Sequence, residues 1–519
     1  MKTVREIVDH HARERGDRTF LIAPDTGHEI NFCGLRDGID TIGDELDRIG
    51  IESGARVAFL LNNGAWTAWL LLGVMASNRV IVPLNAVAGR LQLQHVLGHS
   101  DAGIVLVSDE YRGRLEELLK NVDREVTIVT VDEHNGPNWP DTTGREPVKA
   151  SRPAENAPAL LLYTSGSTGL PKGAILCHRA IISGGENVTE GHALTENDRA
   201  LCVLPVYHIN GAMVTVLAPL VSGGSVVMPS RFRVSTYWSL VAQYQCTWSS
   251  IVPTIIKYLL DRATREDFNF GNDERLRCFR FGRSASAPLP GVVLEQWEQV
   301  FRVPMIETLG LTETAGTVAS NPMHPAPRKP GSVGLPFGNE IIVVDDNGNK
   351  CPPGVHGELV VKGDNVLDYY YKNPQATESA FLDQWFRTGD LGRIDSDGYI
   401  FITGRLKELI IRGGENIAPR EIDDVLYKHE SILEAAAVGV DDDNYGQEVV
   451  ACVVIREGFS CSEQELKDFC STAIGDYKTP KTIYFMDELP KGPSGKILRL
   501  QLPDLIAGIQ GASEQARAG

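Results

Sequence analysis

Short, continuous apolar runs recur along the first half of the chain and alternate with segments of helical spacing. The runs are VAFLL from Val57, VIVPL from Val80, GIVLVS from Gly103, TIVTV from Thr127 and SVVMP from Ser225. Brief runs rich in β-branched residues, separated by helices, are typical of strands buried on both faces of a sheet. We therefore predict an α/β body for this part of the chain.

The composition indicates a globular protein of more than one domain. The chain has 519 residues, of which 42% are hydrophobic and 23% charged, enough for two or more domains with cores of their own. Its 50 basic and 68 acidic side chains give a formal net charge of -18, which repels nucleic acid and anionic membrane surfaces. We accordingly expect small-molecule partners and no nucleic acid.

Three features of the sequence bear on the location of the protein. The most apolar stretch, residues 65–84, is interrupted by Ser77, Asn78 and Arg79, so no membrane span is predicted. Residues 1–18 mix acids, bases and histidines and lack the apolar core of a secretory signal. The nine cysteines include no CxxC pair, which favours a reducing compartment over a zinc site or a disulfide framework. A cytoplasmic protein is predicted.

The pattern changes to strands and turns around Glu358. The segments HGELVVKGDN and DSDGYIFITGR contain a hairpin-type turn at Asp397-Gly398, which predicts a small β-rich unit at the end of the large domain. From Glu408 onward, strand runs and a helix near residues 462–473 predict a compact α+β domain of about 110 residues. We predict a first domain over residues 1–404, a hinge at 405–407 and a second domain over 408–519.

The most informative motif is LLLYTSGSTGLPKG, residues 160–173. An apolar run leads into hydroxyls, glycines and one lysine, Lys172. Glycine allows close backbone approach, so that N–H groups can face an anion, while the hydroxyls and Lys172 add donors and charge. The motif differs from the GxxxxGK[ST] P-loop because no Ser or Thr follows Lys172. We expect it to bind phosphates; a flexible Ser/Gly linker is the alternative for such a composition.

Six more segments follow downstream in a fixed order. They are PVYHING from Pro205, SASAPL from Ser284, GLTET from Gly310, RTGD from Arg387, GRLKE from Gly404 and PKGPSGK from Pro490. Together with the phosphate loop, they resemble the adenylate-forming superfamily of acyl-CoA synthetases, adenylation domains of peptide synthetases and beetle luciferases, over nearly the whole chain. The resemblance implies a large N-terminal domain of α/β layers with a small β-barrel, followed by a small mobile α+β C-terminal domain.

The resemblance also implies a role for each motif in the ATP-dependent activation of a carboxylic acid. The acid and ATP are both anions, so the site has to neutralise charge and fix their geometry. Glu313, beside the predicted catalytic residue Thr312, matches the residue that holds Mg2+. Asp390 matches the carboxylate that binds the ribose hydroxyls, with Arg405 as its support, and Lys496 matches the catalytic lysine. The residues expected to hold the phosphates are Thr164, Ser165, Gly166, Ser167, Thr168, Gly169 and Lys172.

Two regions near the domain boundary are assigned by the resemblance to a second half-reaction. Lys407 occupies the hinge, at which a backbone rotation would exchange an adenylating pose for a thioester-forming pose. The segment RGGEN from Arg412 would then line the pantetheine tunnel, with Gly413, Gly414 and Glu415 binding coenzyme A. ATP, Mg2+ and coenzyme A are therefore the predicted cofactors and co-substrates.

The expected adenine side departs from the family at one position. Where the family usually has a tyrosine that stacks on adenine, this chain has Leu309. Leucine can cover the ring by apolar contact but lacks the π-system, so either adenine binds somewhat differently or another group stacks on it. The residues predicted on this side are Ser284, Ala285, Ser286, Glu307, Thr308, Leu309, Gly310 and Thr312.

Substrate choice is expected to depend on residues around His208, which is also a predicted catalytic residue. Amino-acid-activating relatives have Asp at the position of His208, so an amino acid substrate is disfavoured. Two stretches, SRFRVSTYWSLVAQYQCTWSSIVPTII and HPAPRKPGSVGLPFGNEI, look similar to oxalate-CoA ligases and, less closely, to carnitine-type CoA ligases. This similarity favours a short or polar acid, with Arg283 or Arg231 as the partner of a second carboxylate. Pairing of either arginine with a surface acid is the alternative. The other residues expected to line the acyl side are Asn210, Gly211, Met213 and the segment SIVP from Ser250.

We predict a carboxylate–CoA ligase that first forms acyl-AMP and pyrophosphate from acid and ATP, and then acyl-CoA and AMP from acyl-AMP and CoA. One alternative is a stand-alone adenylation enzyme that loads a carrier-protein phosphopantetheine. Another is a non-catalytic nucleotide-binding or scaffold protein on the same fold, since fold alone does not confer chemistry. The sequence leaves the acid unspecified and the oligomeric state open between monomer and homodimer.

Overall fold

The computed structural model of the chain describes residues 1–142, 146–164, 170–265, 270–492 and 496–509. Its strands, in chain order, are β1 (Thr19–Ala23), β2 (His28–Asn31), β3 (Arg56–Leu60), β4 (Val80–Pro83), β5 (Ile104–Val107), β6 (Thr127–Asp132), β7 (Gly136–Pro137), β8 (Pro158–Thr164), β9 (Lys172–Cys177), β10 (Arg199–Leu201), β11 (Ser225–Val227), β12 (Trp248–Ile251), β13 (Phe281–Ser284), β14 (Met305–Leu311), β15 (Gly316–Ser320), β16 (Leu335–Pro336), β17 (Glu340–Val344), β18 (Gly357–Lys362), β19 (Tyr369–Tyr370), β20 (Phe381–Leu382), β21 (Trp385–Ile394), β22 (Ile400–Arg405), β23 (Ile410–Arg412), β24 (Glu415–Ile417), β25 (Ile432–Asp442), β26 (Gly446–Ile455) and β27 (Thr482–Phe485).

The α-helices alternate with these strands through most of the chain. They are α1 (Val4–Arg15), α2 (Phe32–Ile49), α3 (Ala65–Ala76), α4 (Arg90–His99), α5 (Asp109–Leu119), α6 (His178–Gly191), α7 (Ala218–Ser222), α8 (Tyr237–Tyr244), α9 (Pro253–Arg265), α10 (Gly291–Phe301), α11 (Pro374–Ser379), α12 (Pro419–Leu426) and α13 (Glu463–Ile474). None of the helices in the described ranges is both long and apolar enough to cross a membrane.

Two large sheets form the body of the N-terminal part. One has nine strands in the order β16-β15-β14-β13-β12-β10-β11-β1-β2, and the other has eight in the order β19-β9-β8-β4-β3-β5-β6-β7. Central pairs such as β3-β4, β3-β5 and β12-β13 are parallel, and β4, β5 and β12 are buried along their whole length. The apolar runs of the sequence thus form buried parallel strands, and the predicted α/β fold is confirmed.

Helices cover both large sheets on both sides. The α2 and α3 helices pack against each other; α3 touches β1 of one sheet and β4 and β8 of the other, while α6 touches β8, β9 and β15. These inner helices share one hydrophobic core with both sheets. On the outside, α8, α9 and α10 cover the nine-stranded sheet around Trp238, Trp297 and Phe301, and α4 and α5 cover the other around Leu93 and Leu115.

Two smaller sheets follow. The predicted β-rich unit is a five-stranded antiparallel sheet, β17-β18-β21-β20 with β22 on β21, and Gly398 (φ 88) lies in the turn between β21 and β22. The last sheet, β24-β23-β26-β25 with β27 on β26, is covered by α12 and α13 on one face and by Leu489, Leu502 and Ile506 on the other. A single 3-10 turn, Leu406–Glu408, connects β22 to β23, and so overlaps the predicted hinge.

The helix predicted near residues 462–473 illustrates how local sequence sets an element. Ser462 Oγ accepts from Glu465 N at 3.2 Å, and Glu465 Oε2 accepts from Ser462 N at 3.4 Å. This capping box satisfies two backbone donors at the start of α13. Leu466 and Cys470, one turn apart, then bury one face of the helix against the small-domain core.

Candidate active site

Strands β8 and β9 bring the two ends of the predicted phosphate loop together. They are antiparallel, and Thr164, the last residue of β8, lies opposite Lys172, the first residue of β9. A hydroxyl and an ammonium group therefore flank the loop at its base. The residues between them that were predicted to hold phosphates lie outside the described residues, namely Ser165, Gly166, Ser167, Thr168 and Gly169.

Glu313 lies beside Thr164, in a tight turn between β14 and β15 that Thr312 begins. Its Oε1 accepts hydrogen bonds from the Tyr370 hydroxyl at 2.9 Å and from the Thr164 hydroxyl at 3.5 Å. Its Oε2 accepts none from the part of the chain that the structure describes. Glycine is required at position 310, since a Cβ there would lie 2.2 Å from the carbonyl oxygen of Gly316. Among the residues that the structure describes, one oxygen of this carboxylate therefore has no partner and is suited to a hard cation.

The two carboxylate oxygens of Asp390 differ in their hydrogen bonding. Its position opposite Arg405 in the β21-β22 pair lets Arg405 Nε donate to Asp390 Oδ1 at 2.7 Å. The Asp390 side chain is only 4% exposed, and its buried Oδ2 has no hydrogen-bond partner among the described residues. Because an unsatisfied buried acceptor is costly, Oδ2 is suited to accept from a ligand hydroxyl, such as that of a ribose.

Lys496, in the small domain, lies close to Asp390 and Arg405. Gly492 N donates to Lys496 O, and Leu498 N donates to Pro490 O, each at 2.8 Å, which fixes the backbone around the lysine. Its side chain lines a cavity together with Asp390 and Arg405. Burial, reinforced by the charge of Arg405, lowers the pKa of Lys496, while Glu408 and Asp390 oppose that change.

This cavity of about 230 Å³ lies between the two domains. Arg405 on its wall also interacts electrostatically with Glu313, so the phosphate-loop group adjoins the cavity. Ala285, which was predicted on the adenine side, is buried and is not a lining residue. The other residues predicted for the adenine side that line the cavity are Ser284, Ser286, Glu307, Thr308, Leu309 and Gly310.

Glu307 and Ser286, on the adenine side, each have an energetically unfavourable feature that packing does not explain. Glu307 is 4% exposed, its Oε2 has no partner within the described ranges, and burial raises its pKa to about 7, against the charge of Arg420. Ser286 has φ 71, in the left-handed region that favours glycine, and such strain of about 1–3 kcal/mol clusters at functional sites. Both residues face the cavity.

A buried polar group lies on the predicted acyl side. The guanidinium of Arg283 donates to Asn210 Oδ1 at 3.2 Å, Ser250 Oγ at 2.8 Å and Thr317 Oγ1 at 2.7 Å. Burial lowers the pKa of Arg283. Asn210 begins a π-helical segment, Asn210–Leu217, two residues after His208. The buried Nε2 of His208 has no partner in the described ranges, and burial lowers the pKa of His208 to about 4.

The residues predicted for the second half-reaction lie in two places. Lys407, in the connection between the domains, is close to the phosphate site: burial, then the charges of Lys172 and Arg405, lower its pKa, and Glu313 opposes them. Gly413, Gly414 and Glu415 form an exposed turn between β23 and β24. That turn is not part of the cavity lining, so the structure does not bring these residues to the nucleotide site in this pose.

Tyr370 was not predicted as a site residue. Its hydroxyl bonds Glu313, and the Lys172 ammonium lies 5.4 Å from its ring centroid, so it contacts two predicted site residues. The only local signal is the run Tyr369-Tyr370-Tyr371, which has strand-forming residues but no spacing that distinguishes the middle one.

The chain is similar to known proteins over nearly its whole length. Residues 8–371 match the AMP-binding enzyme family, and residues 421–496 match the AMP-binding enzyme C-terminal domain. The chain is 45% identical to sulfoacetate–CoA ligase of Cupriavidus necator, over 96% of this chain and 97% of that relative. It is 35% identical to oxalate–CoA ligase of Arabidopsis thaliana, over 96% and 97%. ATP-bound MatB from Rhodopseudomonas palustris is similar in structure, with a TM-score of 0.87 and 28% identity over 97% of this chain and 99% of that one.

Fold and site define an adenylate-forming enzyme, in which a large α/β domain and a small α+β domain meet at one cavity. The chain belongs to the AMP-binding enzyme family and to its acyl-CoA synthetase branch. It is an acid–thiol ligase that uses ATP and CoA, and the prediction of a carboxylate–CoA ligase is confirmed.

Proposed function

We propose that this ligase activates a small acid with a second anionic group, a carboxylate or a sulfonate, and that Arg283 binds the second group. The supporting observation is the setting of its guanidinium. Arg283 is 2% exposed, and its hydrogen-bond partners among the described residues are neutral, with Nε left unpartnered. A buried charge without a counter-ion costs several kcal/mol, so an anionic group of the substrate that reaches the guanidinium would be stabilised there. Arg283 does not line the cavity itself but directly precedes Ser284, which does.

The relatives support the same substrate class. Two of them are named for sulfoacetate and oxalate, and each of these acids has a second acidic group besides the carboxylate that is activated. The alternative partner, Arg231, is exposed, where an ion pair is worth little. Arg283 is therefore the stronger candidate.

In the first half-reaction, a carboxylate oxygen of the acid attacks the α-phosphorus of ATP and the bond to pyrophosphate breaks, which leaves acyl-AMP. Lys496, beside Asp390 and Arg405, would offset the charge that develops at the α-phosphate. Thr164 and Lys172 would hold the departing phosphates, and the free Oδ2 of Asp390 would bind the ribose. Residues of both domains would thus hold the nucleotide, so the chemistry would depend on closure of the two domains over it.

The residues present fit a magnesium ion that is held jointly with the nucleotide. Glu313 offers one carboxylate oxygen that no described residue bonds, and no group of three or more His, Cys, Asp or Glu side chains in the described ranges could hold a metal ion. Mg2+ in such enzymes is bound by one or two carboxylates together with phosphate oxygens and water. When bound, it would neutralise charge on the phosphates.

In the second half-reaction, the CoA thiol attacks the acyl carbon and AMP departs. We propose that rotation at residues 405–407 withdraws Lys496 and brings the turn with Gly413, Gly414 and Glu415 to the site. The connection between the domains is one short turn, which suits a hinge. On the acyl side, His208 is neutral above its lowered pKa of about 4, so it offers a hydrogen-bonding group without a charge.

A panel of acids tests the substrate class. With ATP, Mg2+ and CoA, we expect pyrophosphate release with sulfoacetate, oxalate or malonate. With acetate or octanoate, pyrophosphate release should be at least about tenfold slower. Arg283→Met, which keeps length and apolar volume, should abolish that preference while activity with acetate persists, and Arg231→Met serves as the matched control. Equal rates with acetate and with every doubly anionic acid would reject the proposal.

A further inference from the structure

Tyr370 spans two groups of opposite charge at the phosphate site. Its hydroxyl donates to Glu313 Oε1 at 2.9 Å, and the ammonium of Lys172 lies 5.4 Å from its ring centroid. The residue is 8% exposed, so both interactions are largely shielded from water. One side chain thus contacts the proposed metal ligand and the lysine at the base of the phosphate loop.

The backbone of the segment that carries Tyr370 is fixed on both sides. In the β19-β9 pair, Tyr370 lies opposite Ala174, and Tyr371 N donates to Gly173 O at 2.7 Å. On the other side, Leu367 N donates to Glu313 O at 2.7 Å. The strand that begins at Lys172 and the turn that contains Glu313 are therefore both bonded to this segment.

Neighbouring side chains hold the segment at a third point. Tyr371 Oη donates to Asp101 Oδ2 at 2.7 Å, and Lys372 Nζ donates to Asp101 Oδ1 at 2.8 Å. Tyr369, on the other face of the strand, is 40% exposed. Only the middle tyrosine of the three enters the phosphate site, and its position is set by its neighbours.

A carboxylate and an ammonium that contact the same side chain would gain from direct pairing if they came together. Such a pair would occupy the Glu313 oxygens needed by a metal ion and the Lys172 donors needed by phosphate. Within the described residues no ion pair joins Glu313 to Lys172. Tyr370 instead gives each a weaker partner, a neutral hydrogen bond for Glu313 and a ring face for Lys172, and neither charge is neutralised.

We propose that Tyr370 is a positioning residue that keeps Glu313 available as a ligand of Mg2+ and keeps Lys172 available for phosphate. This inference rests on the proposed role of Glu313 as the metal-binding carboxylate. The Tyr370 hydroxyl orients the Glu313 carboxylate, as partners of metal ligands commonly do. The Tyr370 ring separates this carboxylate from the Lys172 ammonium. The two parts of the side chain can be removed separately.

Tyr370→Phe removes the hydroxyl and keeps the ring. Loss of an orienting partner typically lowers metal affinity by about 10–100-fold, so we expect the Kd for MgATP to rise by about tenfold. The Kd for ATP in EDTA should stay within about twofold, because the ring still shields Lys172. Isothermal titration measures both constants without any acid present, so a wrong substrate class does not affect the result.

Tyr370→Leu removes the ring as well. Glu313 and Lys172 can then pair, so ATP in EDTA should also bind more weakly, by about tenfold. Combining this change with Glu313→Gln, which removes the competing charge, should restore metal-free ATP binding. A role in packing alone would not give this rescue.

Tyr369→Phe is the matched control on the exposed face of the same strand and should bind both forms of ATP like the parent. Parental MgATP affinity in Tyr370→Phe would overturn the proposal, as would failure of Glu313→Gln to rescue Tyr370→Leu. A parent enzyme that binds MgATP as expected but releases no pyrophosphate with any acid would instead contradict the proposed function.

Discussion

Lys257 of the large domain donates from its Nζ to the backbone carbonyl of Leu433 in the small domain, at 2.6 Å. The donor lies on α9 and the acceptor on β25, 176 residues apart in sequence. Burial lowers the pKa of Lys257 to about 8, against the charges of Glu434 and Asp261. This contact joins the domains in the pose that places Lys496 beside Asp390.

Removing this contact should affect one half-reaction more than the other. Lys257→Met deletes a half-buried interdomain hydrogen bond worth about 1 kcal/mol, so we expect adenylation to slow by about three- to tenfold, measured by pyrophosphate exchange. Thioester formation from a supplied acyl-adenylate should change little, because it is expected to use another pose. Arg265→Gln is the control: it breaks an exposed ion pair with Glu457 and should have almost no effect. Equal slowing of both half-reactions would contradict the assignment.

Replacement of Lys496, the predicted catalytic lysine, should separate the two half-reactions more sharply. Lys496→Ala removes the small-domain cation from beside Asp390 and Arg405, so adenylate formation should fall by at least about a hundredfold. Acyl transfer from supplied acyl-adenylate to CoA should persist near the parental rate. Assaying each half-reaction alone measures this, and comparable losses in both would refute the two-pose mechanism.

The buried carboxyl of Glu307 predicts a stability that falls as the pH rises. Because its pKa in the folded chain is raised to about 7, the folded state holds a proton that the unfolded state has released between about pH 4.5 and 7. Folding is therefore penalised increasingly across that window, by up to about 3 kcal/mol above it. Glu307→Gln should raise Tm at pH 8 and leave it nearly unchanged at pH 4.5. A Tm difference that is independent of pH would show that Glu307 does not titrate in this window.

The turn before Glu313 depends on the absence of a side chain at position 310. In Gly310→Ala, the added Cβ would lie 2.2 Å from the Gly316 carbonyl oxygen, so the β14-β15 backbone has to shift. We expect lower stability by about 1–3 kcal/mol and a loss of adenylation of at least about tenfold, because Glu313 moves with the turn. Gly291→Ala, with nothing within 4 Å of its Cβ, is the control. Full adenylation activity in Gly310→Ala would show that the turn tolerates the shift.

Much of the fold and some of the site could be predicted from local sequence. Buried strands such as β4 and β5 are continuous apolar runs, and α13 begins at a capping box formed by Ser462 and Glu465. The motif residues Asp390 and Lys496 were predicted from the resemblance, and they line one cavity. These features depend on a few consecutive residues or on a recognised motif.

Other features could not be predicted because they join distant segments. Tyr370 meets Glu313 across 57 residues, and no spacing in its tyrosine run marks it. The burial of Arg283 follows from its place in β13, which pairs with β12 on one side and β14 on the other. Arg231 is exposed in the connection after β11, and composition does not distinguish the two arginines. The roles of Lys407 and of the turn at Gly413 stay predictions, since they concern a rearranged enzyme. The cytoplasmic location and the oligomeric state also stay predictions.

Among the described residues, Glu313 is the one carboxylate proposed to hold Mg2+, and this bears on the metal content of the enzyme between turnovers. Within the part of the chain that the structure describes, a single carboxylate oxygen would be too few to retain a small, strongly hydrated dication against bulk water, so Glu313 is expected to hold Mg2+ only while a nucleotide or pyrophosphate is bound. Dialysis against a chelator should then leave the purified enzyme intact and fully reactivatable, with no metal content of its own to lose.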